Sequence, residues 1–120
     1  MRRSTYVAEL LRLYLEAPDT PRRVSRHDRR VAAELYLEGV SLDRLAHAVR
    51  LATLRRQRHR HPRPPERIRS LAYYRTALQR LNADESHPDY VAYVYDAHQR
   101  LRLTSEPRPR SQNPALSDRR

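Results

Sequence analysis

Gly39 is the only glycine in a chain of 120 residues. Two-residue hairpin turns need positive φ, and glycine is the residue that adopts it at least cost. A chain with one glycine has little material for such turns. No stretch alternates apolar and polar residues cleanly over the length of a strand. Nine prolines punctuate the sequence instead. They fall at 18 and 21, at 62, 64 and 65, at 88, and from 107 onward, and helix interiors reject them. Between these groups apolar residues recur at spacings of three and four, the period of an amphipathic helix. The expected fold is therefore all-α. A small bundle of four to five short helices forms one domain over residues 1–103, followed by a disordered basic tail over 104–120.

Local signals place the helices. The first is expected over about residues 5–17, with Ser4 as cap and Val7, Leu10, Leu11, Tyr14 and Leu15 facing inward. Ser25 caps the second, and Asp28 completes a capping box. Val31, Ala32 and Leu35 form its buried stripe, and Gly39 ends it as the left-handed residue past the last turn. Ser41 caps the third, with Asp43 in its first turn. Leu42, Leu45, Ala46, Val49 and Ala52 face inward there, and the pattern dissolves after Leu54. The fourth helix starts between Pro65 and Ser70, burying Ile68, Leu71, Tyr74, Leu78 and Leu81. Pro88 suits the first turn of a fifth, capped by Ser86 or His87. Tyr90, Val91, Val94, Ala97 and Leu101 would pack inward. From Thr104 the residues are too polar to order themselves.

Hydrophobic residues make up 38% of the chain and charged residues 32%, so the core should be thin. With no cysteine, disulfides and cysteine-based metal sites are excluded. No apolar run reaches membrane-spanning length and the N-terminus lacks the apolar core of a secretion signal. A cytoplasmic protein with no membrane partner is expected. The formal charge is +11 and lysine is absent. Arginine's planar fork for phosphate is one reason for that choice, and GC-rich codon usage is another.

Position says more than the total. Residues 4–54 hold eight arginines against seven acids, and residues 70–103 hold four of each. The connector 55–69, RRQRHRHPRPPERIR, holds seven arginines against Glu66 alone. Cations complement the C-terminal dipole of the third helix, but one or two suffice for that. A merely solvated loop is the plain reading. The sharper one is a polyanion site in which Arg55, Arg56, Arg58, Arg60, Arg63, Arg67 and Arg69 neutralise phosphates. Ser70, capping the fourth helix, would share a phosphate with free backbone N–H groups. Tyr73, exposed beside Arg69, would serve as a stacking platform, with Tyr74 in the core. Six phosphate contacts on duplex DNA would give a log–log salt slope of roughly −5.

Other constellations carry less. VAAELYLEGVSLDRLAHAVRLA has the outline of a helix-turn-helix. Leu35 stands where that motif needs a small residue and Glu38 where it needs an apolar one, so a packed helical hairpin is the better reading. His59 and His61 lie in an arginine field with no carboxylates to complete a ligand set, so no metal is expected. No catalytic constellation and no cofactor loop are present. Tyr93 and Tyr95 are candidates for a partner-facing patch or for rim packing.

The stretch SLDRLAHAVRLATLRRQ…RIRSLAYYRTALQRL resembles the C-terminal helical module of DnaD-type primosomal and phage replication proteins. The resemblance covers residues 41–82. That module has a helix, a basic loop and a second helix with tyrosine, an aliphatic residue and tryptophan at four-residue steps. Tyr73, Ala77 and Leu81 hold those positions, so the aliphatic is reduced and the tryptophan replaced. The IRSL stretch from Ile68 to Leu71, with Tyr73 and Tyr74, is also similar to small proteins of bacterial mobile elements. The resemblance implies binding to DNA and to helicase-loading partners. The expected function is a non-enzymatic nucleic-acid-binding accessory protein of a replication or mobile-element system, with DNA favoured over RNA. The competing expectations are a helical protein–protein interaction module, or a small subunit of a larger nucleoprotein complex.

Overall fold

A computed structural model of the chain describes residues 1–105. Five helices follow one another: α1 (Arg3–Glu16), α2 (Arg26–Leu37), α3 (Leu42–Arg58), α4 (Ala72–Gln79) and α5 (Pro88–Ser105). No strand occurs among the described residues. No helix among them is long and apolar enough to cross a membrane. The fold is all-α, as the glycine and proline pattern requires.

In α1, Arg2 is the extended N-cap and no side chain caps the helix, so Ser4 lies inside the first turn. The buried residues are Tyr6, Leu10, Leu11 and Tyr14. Leu15, expected inside, is 40% exposed, and Tyr6 replaces it. The stripe is centred one residue earlier than the aliphatic pattern suggests, because the Tyr6 hydroxyl reaches the Val40 carbonyl at 2.7 Å. Such a bond lets a tyrosine bury its ring. The Tyr14 phenol is pushed up to about 12 by burial and, secondarily, by the charge of Asp28.

Both ends of α2 form as the sequence predicts. The Ser25 hydroxyl accepts the Asp28 N–H at 3.1 Å, and the Asp28 carboxylate accepts the Ser25 N–H at 3.0 Å. Past the last turn, Gly39 N–H donates to Tyr36 O and Val40 N–H to Leu35 O, each at 3.1 Å. This is the Schellman arrangement, and Gly39 adopts the φ of +76° it needs. An added Cβ at Gly39 would meet nothing within 4 Å, so backbone strain alone opposes substitution. Gly39→Ala is expected to destabilise by about 1 kcal/mol, read as a fall of about 4–8 °C in a thermal melt. Gly39→Asn should fall less, since asparagine tolerates this conformation.

Ser41 caps α3 through the Arg44 N–H at 3.1 Å. The helix runs on to Arg58, past the point where apolar periodicity stops. Arginine is a good helix former, its charge complements the C-terminal dipole, and no proline intervenes before 62. Helix α3 is the axis of the bundle. Helices α4 and α5 pack on it, α1 touches it, and α2 packs on α1. Helices α2 and α3 are not among the closely packed pairs, so the expected helical hairpin does not form. Enclosure from several sides explains why Leu45 to Val49 are all buried. Leu51, outside the expected inner stripe of Leu42, Leu45, Ala46, Val49 and Ala52, is buried as well.

Helix α4 begins at Ala72 with Leu71 as a helical N-cap and no side-chain cap bond. Ser70 therefore does not cap it. Ile68, Leu71, Tyr74 and Leu78 are buried as expected, and Leu81 packs against them. Arg75 ties α4 to α2 through Glu34 at 2.6 Å and Glu38 at 2.9 Å.

The link from α4 to α5 hangs on Glu85. Its N–H donates to Asn82 Oδ1 at 2.8 Å, and its carboxylate accepts the Asn82 N–H at 3.1 Å. The buried His47 donates its Nε2–H to the Glu85 carbonyl at 2.7 Å, and Arg55 pairs with the Glu85 carboxylate. The Asn82 N–H, then Arg55, hold the Glu85 carboxyl below its ordinary value of 4.5. A lowered carboxyl stabilises the fold above its unfolded pKa, and that stability is lost as pH falls through the folded value. Glu85→Ala should cost about 1 kcal/mol at neutral pH. In denaturant melts across the acid range, the gap between the variant and the parent should close below the ordinary glutamate value.

Helix α5 starts at Pro88, and His87 Nδ1 accepts the Asp89 N–H at 3.1 Å. Its non-exposed residues include the expected Tyr90, Val91, Val94, Ala97 and Leu101, although only Val94 is fully buried. Thr104 and Ser105 continue the helix rather than opening the tail. The rest of the predicted tail, 106–120, lies outside the described residues.

Candidate nucleic-acid interface

The segment between α3 and α4 is irregular, and two aspartates from the far side of the sequence fix it. Asp19, in the link between α1 and α2, has a positive φ of 66°, which aspartate tolerates better than most residues. Its carbonyl accepts the Ile68 N–H at 2.9 Å. Its carboxylate accepts Arg60 at 2.6 Å and Arg56 at 3.2 Å. Asp28, at 2% exposure, gives its second oxygen to the Leu71 N–H at 2.9 Å. One carboxylate thus joins the entrance of α4 to the first turn of α2. Both are positive helix ends, where a carboxylate is favoured.

This wiring divides the predicted arginines. Arg55 pairs with Glu85, and Arg56 and Arg60 pair with Asp19. Arg56 is the most enclosed, its side chain 10% exposed, and it also donates to the Glu66 carbonyl at 2.5 Å. Burial lowers the Arg56 pKa, but Tyr73 and Asp19 outweigh it and hold the guanidinium above its ordinary value. Arg58, Arg63, Arg67 and Arg69 are exposed, and none enters an ion pair among the described residues. The set of unpaired connector arginines is therefore smaller than the sequence suggests. Three members brace the scaffold and four are open to a ligand.

Ser70 and Tyr73 differ from expectation in detail. The phosphate place at the head of α4 is already taken, since Asp28 holds the Leu71 N–H. The Tyr73 and Tyr74 N–H groups close on the Ser70 and Leu71 carbonyls at 3.2 and 2.9 Å. Tyr73 is 38% exposed, and the guanidinium over its ring, at 5.6 Å, belongs to Arg56. Tyr74 packs against it edge to face, with centroids 5.2 Å apart. Tyr73 also borders a cavity of about 300 Å³ between α3 and α4, with Arg55 and Arg80 among its lining.

The residues that sequence reasoning missed are Asp19 and the second role of Asp28. The capping box was a visible signal for Asp28 but said nothing of Leu71, 43 positions away. No local pattern marked Asp19. Among the described residues no group of three histidines, cysteines or acids is placed to hold a metal ion. Comparison with known protein families, with curated proteins and with solved structures finds no match.

Proposed function

We propose that the protein is a non-enzymatic nucleic-acid-binding accessory factor that grips the phosphate backbone. Arg58, Arg63, Arg67 and Arg69 are the gripping side chains, and Arg55, Arg56 and Arg60 hold the segment that presents them. The observation that carries this reading is the combination of open guanidinium groups with a backbone pinned by Asp19 and Asp28. A pinned cationic segment loses less entropy on binding than a free one. Backbone contacts of this kind select charge rather than sequence. Placement in a replication system, and DNA over RNA, rest on the resemblance of residues 41–82 to the DnaD-type module. The mobile-element alternative rests on the similarity of Ile68 to Leu71, with Tyr73 and Tyr74, to mobile-element proteins. The test is fluorescence anisotropy with a labelled 20-base-pair duplex and the variant R58Q/R63Q/R67Q/R69Q. Binding should collapse while helicity is kept, and normal binding by a folded variant sinks the reading.

A second reading has its own observation. Helix α5 leaves Tyr93, Tyr95 and Leu103 exposed at 54%, 43% and 72%. A helical protein-interaction module, or a small subunit of a nucleoprotein complex, would use exposed side chains of this kind. Purified protein that carries a stoichiometric protein partner and no nucleic acid favours it.

A further inference from the structure

Residues 22–30 read RRVSRHDRR, five arginines with Asp28 as the only acid. Asp28 is buried and its carboxylate is occupied by backbone N–H groups. Arg22, Arg23, Arg26, Arg29 and Arg30 are all exposed, and none enters an ion pair among the described residues. Arg26, Arg29 and Arg30 stand at i, i+3 and i+4 of α2, so they share one face. Val31, Ala32 and Leu35 are buried on the opposite one.

Folding does not account for these cations. The arginines at the end of α3 sit where the helix dipole favours them and where carboxylates receive several. Those of α2 lie in and just before its first turns, where the dipole opposes positive charge. No carboxylate among the described residues takes them up. The fold also sets this segment against the connector, because Asp19 bonds Ile68 and Asp28 bonds Leu71. Two stretches separated in sequence by most of α2 and α3 are thus joined at Asp19–Ile68 and at Asp28–Leu71.

We infer that residues 22–30 form a second arm of the phosphate-binding surface, so that one nucleic-acid backbone engages Arg22, Arg23, Arg26, Arg29 and Arg30 together with the connector arginines. The inference rests on the nucleic-acid reading above and extends the site to residues outside the connector. A duplex bound across both arms releases more counterions than one held by the connector alone.

The experiment is a salt titration of duplex binding by the full chain, with the same 20-base-pair probe. R22Q/R23Q/R26Q/R29Q/R30Q should flatten the log–log slope by roughly 4 and weaken binding at 0.1 M salt by about 10²-fold or more. Its circular dichroism should match the parent's. Where the five-site variant misfolds, R22Q/R23Q, which lies ahead of α2, should flatten the slope by roughly 2. A folded variant with the parent's slope and affinity overturns the second arm, while weakened binding by R58Q/R63Q/R67Q/R69Q in parallel leaves the connector site standing. A parent that does not bind the duplex at all overturns both. A five-site variant that loses binding beside a connector variant that keeps it overturns the joint surface and leaves residues 22–30 as the site.

Discussion

Asp28→Ala is expected to lower unfolding stability by about 3–5 kcal/mol in urea titration. Two backbone donors lose their acceptor at once, Ser25 N–H at the head of α2 and Leu71 N–H at the entrance of α4. A hydrogen bond to a charged group contributes about 1.5–3 kcal/mol, and the Leu71 donor is buried where water does not replace the carboxylate. A small domain holds only about 5–15 kcal/mol in all, so the variant would sit near the edge of folding. Asp28→Asn should rescue little. Its amide can accept one N–H but turns an NH₂ donor toward the other. The connector should loosen as well, because Leu71 is one of its anchors. A loss below about 1 kcal/mol would show that the bridge between α2 and α4 is not a main support.

Several elements written into a few adjacent residues were legible, although Ser4 and Ser70, read as caps in the same way, do not cap. Ser25 with Asp28, Gly39, Ser41, and Pro88 with His87 each act within one turn, and each forms as read. The end of α3 was not legible from periodicity, since Arg55, Arg56 and Arg58 have no apolar stripe to continue. Their helix is held by propensity, dipole and partners on other elements. The exchange of Leu15 for Tyr6 has the same origin. The Tyr6 partner is the Val40 carbonyl, 34 positions away. In the site, clustering of arginine was plain from composition, but its division was not. Asp19 selects Arg56 and Arg60 across 37 and 41 positions, and no local rule nominates it. Averaging charge over residues 4–54 also hid the run at 22–30, because the balancing acids of that stretch lie on other turns.

R58Q/R63Q/R67Q/R69Q is expected to weaken duplex binding at 0.1 M salt by about 10²- to 10³-fold. Each phosphate contact on B-DNA contributes roughly 0.9 to the log–log salt slope, so four lost contacts should flatten it by roughly 3–4. Stability should barely change, since none of the four enters an ion pair among the described residues. Arg60→Gln is a different case. It removes one of the two guanidinium groups on Asp19, and its first effect should be on the order of the connector rather than on contact with phosphate. Total charge is controlled by R2Q/R3Q/R100Q/R102Q, which removes as many cations from the start of α1, its N-cap included, and from α5. That variant should keep most of the affinity, because local focus rather than net charge sets the potential a backbone meets.

The most direct measurement is the salt slope of duplex binding for three proteins side by side: the parent, the connector variant and the charge-matched control. The account predicts a steep slope for the parent and the control, and a distinctly shallower one for the connector variant. Equal slopes for all three, or a loss in the control as large as in the connector variant, would contradict it.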